Sequence, residues 1–365
     1  MEFLSLGSVL QEYSSAIIVG VYTDKITVFS VKREGGKAVV VATAIEPQEG
    51  KAVSGDALDT ERTALNCRKA LAALPREIGN TPHDVIFAFG GGIGAFSVIH
   101  ARGIREVKEK KISAEELTSL IAAQTQGKNE AVSRSFSESF HVDGFAVPDP
   151  VGLNGGEIVI DIARVACDDG LVRGLSQAAA GAGLSVQGFL DMRYAAAKYA
   201  KFFEGAHDSA IVLCVFEHET CAVLVRNRAV AGSGVVSVGY GIIIEAIEKT
   251  FSVGREEAKG IARAFTNKTL DARVSARVQE VCDTAGKTLI AKIAEAVSQL
   301  DPMSLLPGNI WVVSSEDIPH IDEAFRSSEW LASLPIERNA VVSVWRAPEH
   351  DAFGTAFDAI IAASL

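Results

Sequence analysis

The chain has 365 residues, 48% of them hydrophobic and 22% charged, and a net charge of −11. That length supports two or more domains with well-buried cores. The acidic balance argues against nucleic-acid or anionic-membrane binding, which would need Lys and Arg gathered on one face, and no run of eighteen apolar residues is present. Residues 16 to 31, AIIVGVYTDKITVFSV, alternate, break at Tyr22-Thr23-Asp24 and alternate again, which predicts a β-hairpin. A third strand is expected from Ala38 to Ala44, then a loop with Gly50 and Gly55. Apolar residues at Ala64, Leu65, Cys67, Leu71 and Leu74 predict an amphipathic helix over Asp59 to Leu74, capped by Asp59 or Thr60.

The strand VIFAF, Val85 to Phe89, runs into GGGIG at 90 to 94. A phosphate-cradling glycine loop must open a helix, and the sequel AFSVIHARG has a strand pattern instead, so a glycine-rich crossing is expected. The basic run Lys108, Lys110 and Lys111 is interleaved with Glu106 and Glu109 and reads as a solvated face. Ser113-Ala-Glu-Glu116 is a capping-box signature opening a helix to about Thr125. A polar segment, Gln126 to Ser139, leads to HVDGFAVPDPVGLNGGEIVIDIARVAC, His141 to Cys167: turn chemistry at Pro148, Pro150, Gly152, Gly155 and Gly156, then a strand with Ile158, Ile160, Ile162 and Val165. Leu171 to Phe203 reads as helix-rich and contains GLSVQGF. From 209 the opening pattern repeats: SAIVLCVF, a break at Glu217-His218-Glu219, TCAVLVRN, a strand through Val235 and Val238, and a helix YGIIIEAIEKTF. A long helix from Asp271 to Leu300, the strand NIWVVSS and a closing helix from Ala352 to Ala363 complete the order.

The stretch from 141 to 167 resembles the "DG", "DP(I/V)G(M/L).G" and following strand of the FtsA-type actin homologues of bacterial cell division, and GREEAKG, with Ala258 and Lys259, resembles that family's "AE.iK" segment. The two copies of hairpin, strand and helix match the internal repeat of the actin superfamily. The resemblance implies an α/β chain with the actin-like (ribonuclease H-like) duplicated ATPase fold and an inserted SHS2-type small domain. The implied boundaries are 12–89 with 171–207 for the first actin-like domain, 90–170 for the insertion, and 208–365 for the second, with 248–304 as its helical subdomain.

An actin-type ATPase holds its triphosphate between two hairpin tips that need glycines, hydroxyls and an Asp each. Against the family's "DIG(T/S)(T/S)K", Gly20 stands for the Asp and Tyr22 for the Gly, leaving Thr23 and Lys25 in agreement. Against "DIGGGTTD", Cys214 and Cys221 stand for the two Asp residues, Phe216, Glu217 and His218 for the glycines and Glu219 for a Thr; Thr220 alone agrees. The "GGGA" cradle aligns with Ser314-Ser315-Glu316, and Gly239 keeps a glycine of "P.GG". Glu217 and Glu219 would face the anion, each like-charge pair costing on the order of 4 kcal/mol at about 4 Å and an effective dielectric near 20, with only Lys25 in these loops to offset it. The residual nucleotide-site matches are therefore Thr23, Lys25, Thr220 and Gly239, and the resemblance implies a pseudo-ATPase needing neither ATP nor Mg.

The five cysteines lie mostly in apolar segments and are expected as buried, reduced thiols. A metal site from Cys214, His218 and Cys221 lacks a fourth ligand and the spacing of zinc modules, so no metal is expected. The pairs His141 with Asp143 and His320 with Asp322 have no serine to complete a triad. The chain stops at FGTAFDAIIAASL, whose stripe Phe353, Phe357, Ile360 and Ile361 is expected to face the core, with no direct membrane insertion. The implied function is a scaffold linking FtsZ or other divisome proteins at the cytoplasmic face of the inner membrane, self-associating through the inserted domain. The alternative is a PilM-like component of a type IV pilus or secretion assembly that binds a membrane-protein tail. A cytoplasmic location, peripheral at the membrane through a partner, follows from either.

Overall fold

The structure, a computed structural model, describes residues 15–34, 37–48, 53–54, 57–75, 83–125, 132–199, 208–301, 304–314, 324–325, 329–337 and 339–345. Strands β1 (Ser15–Val21) and β2 (Lys25–Glu34) form the first hairpin, and β3 (Lys37–Pro47) continues it. A short pair, β4 (Val53–Ser54) and β5 (Ala57–Leu58), precedes α1 (Thr60–Ala73). Asp59 caps that helix, its carboxylate accepting from the Arg62 amide at 3.0 Å. Ala64, Cys67, Leu71 and Leu74 are buried as the apolar spacing predicts and Ala70 joins them, but Leu65, expected on the same face, is 50% exposed. Then come β6 (Asp84–Phe89) and β7 (Ala95–Ile104), separated by the glycine-rich turn, and α2 (Ala114–Thr125). Strands β8 (Val132–Val142), β9 (Phe145–Val147) and β10 (Glu157–Cys167) lead to α3 (Asp169–Gly181), β11 (Ser185–Asp191) and α4 (Met192–Tyr199). The second half comprises β12 (Ala210–Val215), β13 (Thr220–Arg226), β14 (Ala229–Val236), α5 (Gly241–Phe251), α6 (Arg255–Thr266), α7 (Ala272–Ser298), β15 (Asn309–Ser314) and β16 (Val341–Trp345).

The duplication is visible in topology. One five-stranded sheet runs β3-β2-β1-β6-β11 and the other β14-β13-β12-β15-β16. In each, the first three strands are antiparallel neighbours and the last two add in parallel. The fifth strand of each sheet, β11 and β16, is a correction to the sequence reading, which took Leu171 to Phe203 as helix-rich and ended the second sheet at β15. A third sheet, β7-β10-β8-β9, uses residues 95 to 167. Helix α2 covers one of its faces, packing Leu117 together with Ile112, Ala101, Ile158, Ile160 and Ile162. The capping box there is half formed: Ser113 Oγ accepts from the Glu116 amide at 3.2 Å, while the Glu116 carboxylate turns away to the Arg105 guanidinium at 2.7 Å.

One apolar core is shared between the two halves. Val19, Val28, Phe87, Phe89 and Phe189 of the first sheet join Val212, Cys214, Cys221, Val223 and Val313 of the second. A second core lies under α5, α6 and α7, with Val278, Cys282, Leu289, Ile293 and Val297 on the buried face of the long helix. The predicted closing helix with Phe353, Phe357, Ile360 and Ile361 lies outside the described residues, as do His320, Asp322, Gly50, Gly55, Ser315 and Glu316. Among the described residues, no helix is long and apolar enough to cross a membrane.

Candidate functional site

The candidate site is the cleft where the turns of the two hairpins face each other. In the first turn the Tyr22 amide donates to the Lys25 carbonyl at 3.0 Å, and Gln48 Nε2 donates to the Tyr22 carbonyl at 2.7 Å. Thr23 and Lys25 are both buried, and the Lys25 ammonium lies 5.6 Å from the centre of the Tyr22 ring.

The second turn closes through the Phe216 amide on the Glu219 carbonyl at 2.9 Å. Its carbonyls are consumed locally: the amides of Tyr240 and Gly241 donate to the Phe216 and Glu217 oxygens at 2.9 and 2.8 Å. Thr220 Oγ1 donates to the Val238 carbonyl at 2.8 Å. Gly239 is fixed by this approach, since a Cβ there would stand 1.9 Å from the Phe216 carbonyl oxygen. Thr220 and Gly239 thus belong to one structural joint, and Thr23 and Lys25 lie in the opposite turn.

The Phe216 ring fills the space beneath the glycine-rich turn; a Cβ on Gly90 would lie 2.6 Å from its edge. Gly91, Gly92 and Gly94 carry positive φ, so this turn is glycine-rich for backbone reasons as well as for close packing.

The charges correct the expectation that Glu217 and Glu219 face an anion with only Lys25 of these loops to offset them, because cations reach both from outside the loops. Glu217 is buried, and its Oε1 accepts from Arg255 Nε at 2.9 Å and from the second arm of the same guanidinium. Lys259 Nζ lies 3.7 Å from the other Glu217 oxygen and 3.6 Å from Asp24 Oδ2. Glu219 pairs with Arg193 at 3.3 Å. Burial works against the Arg255 charge, but the hydrogen bond it donates to Glu217 and the charges of Glu217, Glu248 and Glu245 outweigh it and hold the guanidinium above its ordinary pKa. Buried Arg193 behaves likewise, held charged by Asp191 and Glu219. Asp191 grips it with bonds of 2.6 and 3.1 Å and caps α4 by accepting from the amides of Arg193 and Tyr194 at 2.9 and 3.1 Å.

Sequence reasoning missed this cation set because it comes from helices 26 and 38 residues away from the carboxylates. The one local signal was Asp191 just before a helix, an N-cap pattern. Phe216 therefore occupies the space under the glycine turn, and Asp24, Glu217 and Glu219 each have a cation of the chain beside them.

The other sequence candidates resolve into structural roles. Cys214 and Cys221 face each other across β12 and β13, buried, whereas His218 is exposed, so the three are not gathered. Burial pushes the thiols of Cys67, Cys167, Cys221 and Cys282 up to about 12. Among the described residues no cluster of His, Cys, Asp or Glu is suited to a metal. Asp143 does not face His141 chemistry; its carboxylate accepts the amides of Gly156 and Glu157 at 2.9 and 2.8 Å and closes the loop before β10. Ser314 ends β15, buried.

No protein-family model and no curated protein sequence matches the chain. Solved structures do. A structure described as a PilM-PilN type IV pilus biogenesis complex is similar with a TM-score of 0.63 at 14% identity, over 96% of this chain and 97% of that one. The ethanolamine utilization protein EutJ from Carboxydothermus hydrogenoformans is similar with a TM-score of 0.54 at 15% identity, over 95% of this chain and 89% of its own. At these identities the likeness shows the fold: the chain has the duplicated, actin-like α/β fold.

Proposed function

We propose that the chain is a non-catalytic actin-like adaptor and that it binds the cytoplasmic tail of a membrane protein in a pilus- or secretion-type assembly. The observation that carries the first part is the filled cleft. Phe216 takes the volume under the glycine turn, and Glu217 and Glu219 take the cations Arg255, Lys259 and Arg193 that would otherwise be available to an anion. Neither hairpin turn carries an acid in the strand position that organises metal and water in an actin-type ATPase, since Gly20 and Cys214 stand there. No ATP or Mg is needed in this reading. The partner is supported by the end-to-end likeness to the PilM-PilN structure, which spans nearly all of both chains. Attachment to the cytoplasmic face of the membrane would then run through that partner, with the inserted sheet as an SHS2-type contact unit.

The division reading, with FtsZ as partner, rests on the string from 141 to 167. Two measurements test the proposal together. Calorimetry at millimolar MgATP is expected to show no heat, and saturable heat or phosphate release would overturn the non-catalytic part. A pull-down of the tagged, full-length chain from its own cells is expected to recover a single-pass membrane protein. Saturable binding of the FtsZ carboxy-terminal tail instead would move the chain to the division machinery.

A further inference from the structure

Beyond the adaptor reading, we propose that the cleft is a built-in latch, in which two ion pairs of opposite polarity hold the halves of the molecule together without any ligand. Arg193 belongs to the first half, through α4, and meets Glu219 in the turn of the second half, Nη1 to Oε1 at 3.3 Å. Asp24 belongs to the turn of the first half and meets Lys259 of α6 in the second, at 3.6 Å. The Tyr240 hydroxyl, at the start of α5, donates to the same Asp24 oxygen at 3.5 Å. Each half thus contributes one cation and one anion, so neither face of the cleft carries an excess that would repel the other.

The members are pre-set by neighbours on their own side. Asp191 fixes Arg193, and Glu217, itself clamped by Arg255, stands 3.7 Å from Lys259. Glu217 Oε2 is buried without a hydrogen-bond partner among the described residues, so the Lys259 ammonium is the charge that offsets it. Lys259 and Glu219 have side chains 14% exposed and Asp24 11%, which leaves little solvent to screen the pairs. In an actin-like fold the cleft closes around a ligand that both faces grip. Here the side chains make those grips themselves, so closure is constitutive and partner binding has no nucleotide gate.

Hydrogen–deuterium exchange on the full-length protein tests the latch. Amides of the two turns, Tyr22 and Phe216 among them, are expected to exchange slowly and at the same rate with and without MgATP. Asp24→Asn and Lys259→Met should each speed that exchange by on the order of tenfold, and the double variant should be no faster than the quicker single one, as for groups acting as a unit. Lys259→Arg should restore slow exchange, which separates loss of the latch from loss of folding. Multiplicative effects in the double variant, or wild-type exchange as fast as that of the variants and slowed by MgATP, would overturn the proposal. Multiplicative effects would leave the nucleotide and tail-binding results untouched and sink the latch alone, whereas slowing by MgATP would also register as heat in the calorimetry, so the two kinds of failure are distinguishable.

Discussion

His100 and Asp161 pair across β7 and β10, His100 Nδ1 lying 2.7 Å from Asp161 Oδ1 while Ser139 donates to the other oxygen at 2.5 Å. The hydrogen bond to Asp161 outweighs burial and raises the His100 pKa above 6.5, with the charges of Asp161 and Asp301 adding to it. Burial acts against the Asp161 charge, but the hydrogen bonds from His100 and Ser139 and the charges of His100 and His141 win and hold its pKa below 3.8. A raised imidazole contributes stability in full below 6.5 and loses it as pH rises through the folded value. A lowered carboxylate contributes above 3.8 and loses it as pH falls. Asp161→Asn should therefore cost most in the window between these values. The gap in urea midpoint between wild type and variant is expected to be larger near pH 5 than near pH 9, in about the manner of any such linked pair. A gap that does not change with pH would show that the ionic part contributes nothing. At this scale the sequence reveals which residues stand in the hairpin turns, since Phe216, Glu217 and Glu219 follow from a gapless alignment. It conceals what those side chains touch, because Arg193, Arg255 and Lys259 arrive from other elements.

Among the elements, β11 joins its sheet through one side chain above all. The Phe189 ring stacks between Phe87 and Phe89 of β6, with centroids 5.6 and 5.5 Å away, and is fully buried. Phe189→Ala should cost about 3–5 kcal/mol, the usual range for a large buried aromatic. The loss would be read from the denaturation midpoint and from faster amide exchange confined first to β11 and α4. A cost under about 1 kcal/mol would mean that the strand is held by its backbone ladder alone. The hairpins were legible as apolar-rich runs of six to ten residues broken by short polar turns, and α1 and α7 because their apolar residues keep the helical period over 14 and 27 residues. Strand β11 was not, because its register slips between Val186 and Gly188 and the alternation breaks there, inside a segment otherwise rich in helix formers. Strand β16 is five residues long, too short for a period to stand out.

For the molecule as a whole, Glu138 is the point where three units meet. This carboxylate of β8, 1% exposed, accepts from the Tyr194 hydroxyl at 2.8 Å and Lys198 Nζ at 2.5 Å, both on α4, and from the Val230 amide of β14 at 3.0 Å. Phe136, two residues earlier, stacks on Tyr194 at 4.6 Å. Glu138→Ala removes the acceptor of all three donors and should cost about 3–5 kcal/mol, as breaking a buried pair does. More tellingly, a single cooperative melting transition should broaden or split as the inserted sheet loses its tie to both halves. An unchanged, single sharp transition would place the coupling elsewhere.

The five cysteines give the same molecule a chemical clock. All are buried, and at ordinary pH the four thiols raised to about 12 are almost wholly protonated, the unreactive form. An alkylating dye should leave the folded chain unmarked without any protective reductant. Every label that appears then records a visit to an open state. Cys214 and Cys221 report on the shared core, Cys282 on the long helix, Cys67 on the first half and Cys167 on the end of the inserted sheet, so the order of labelling would map which part of the protein breathes first.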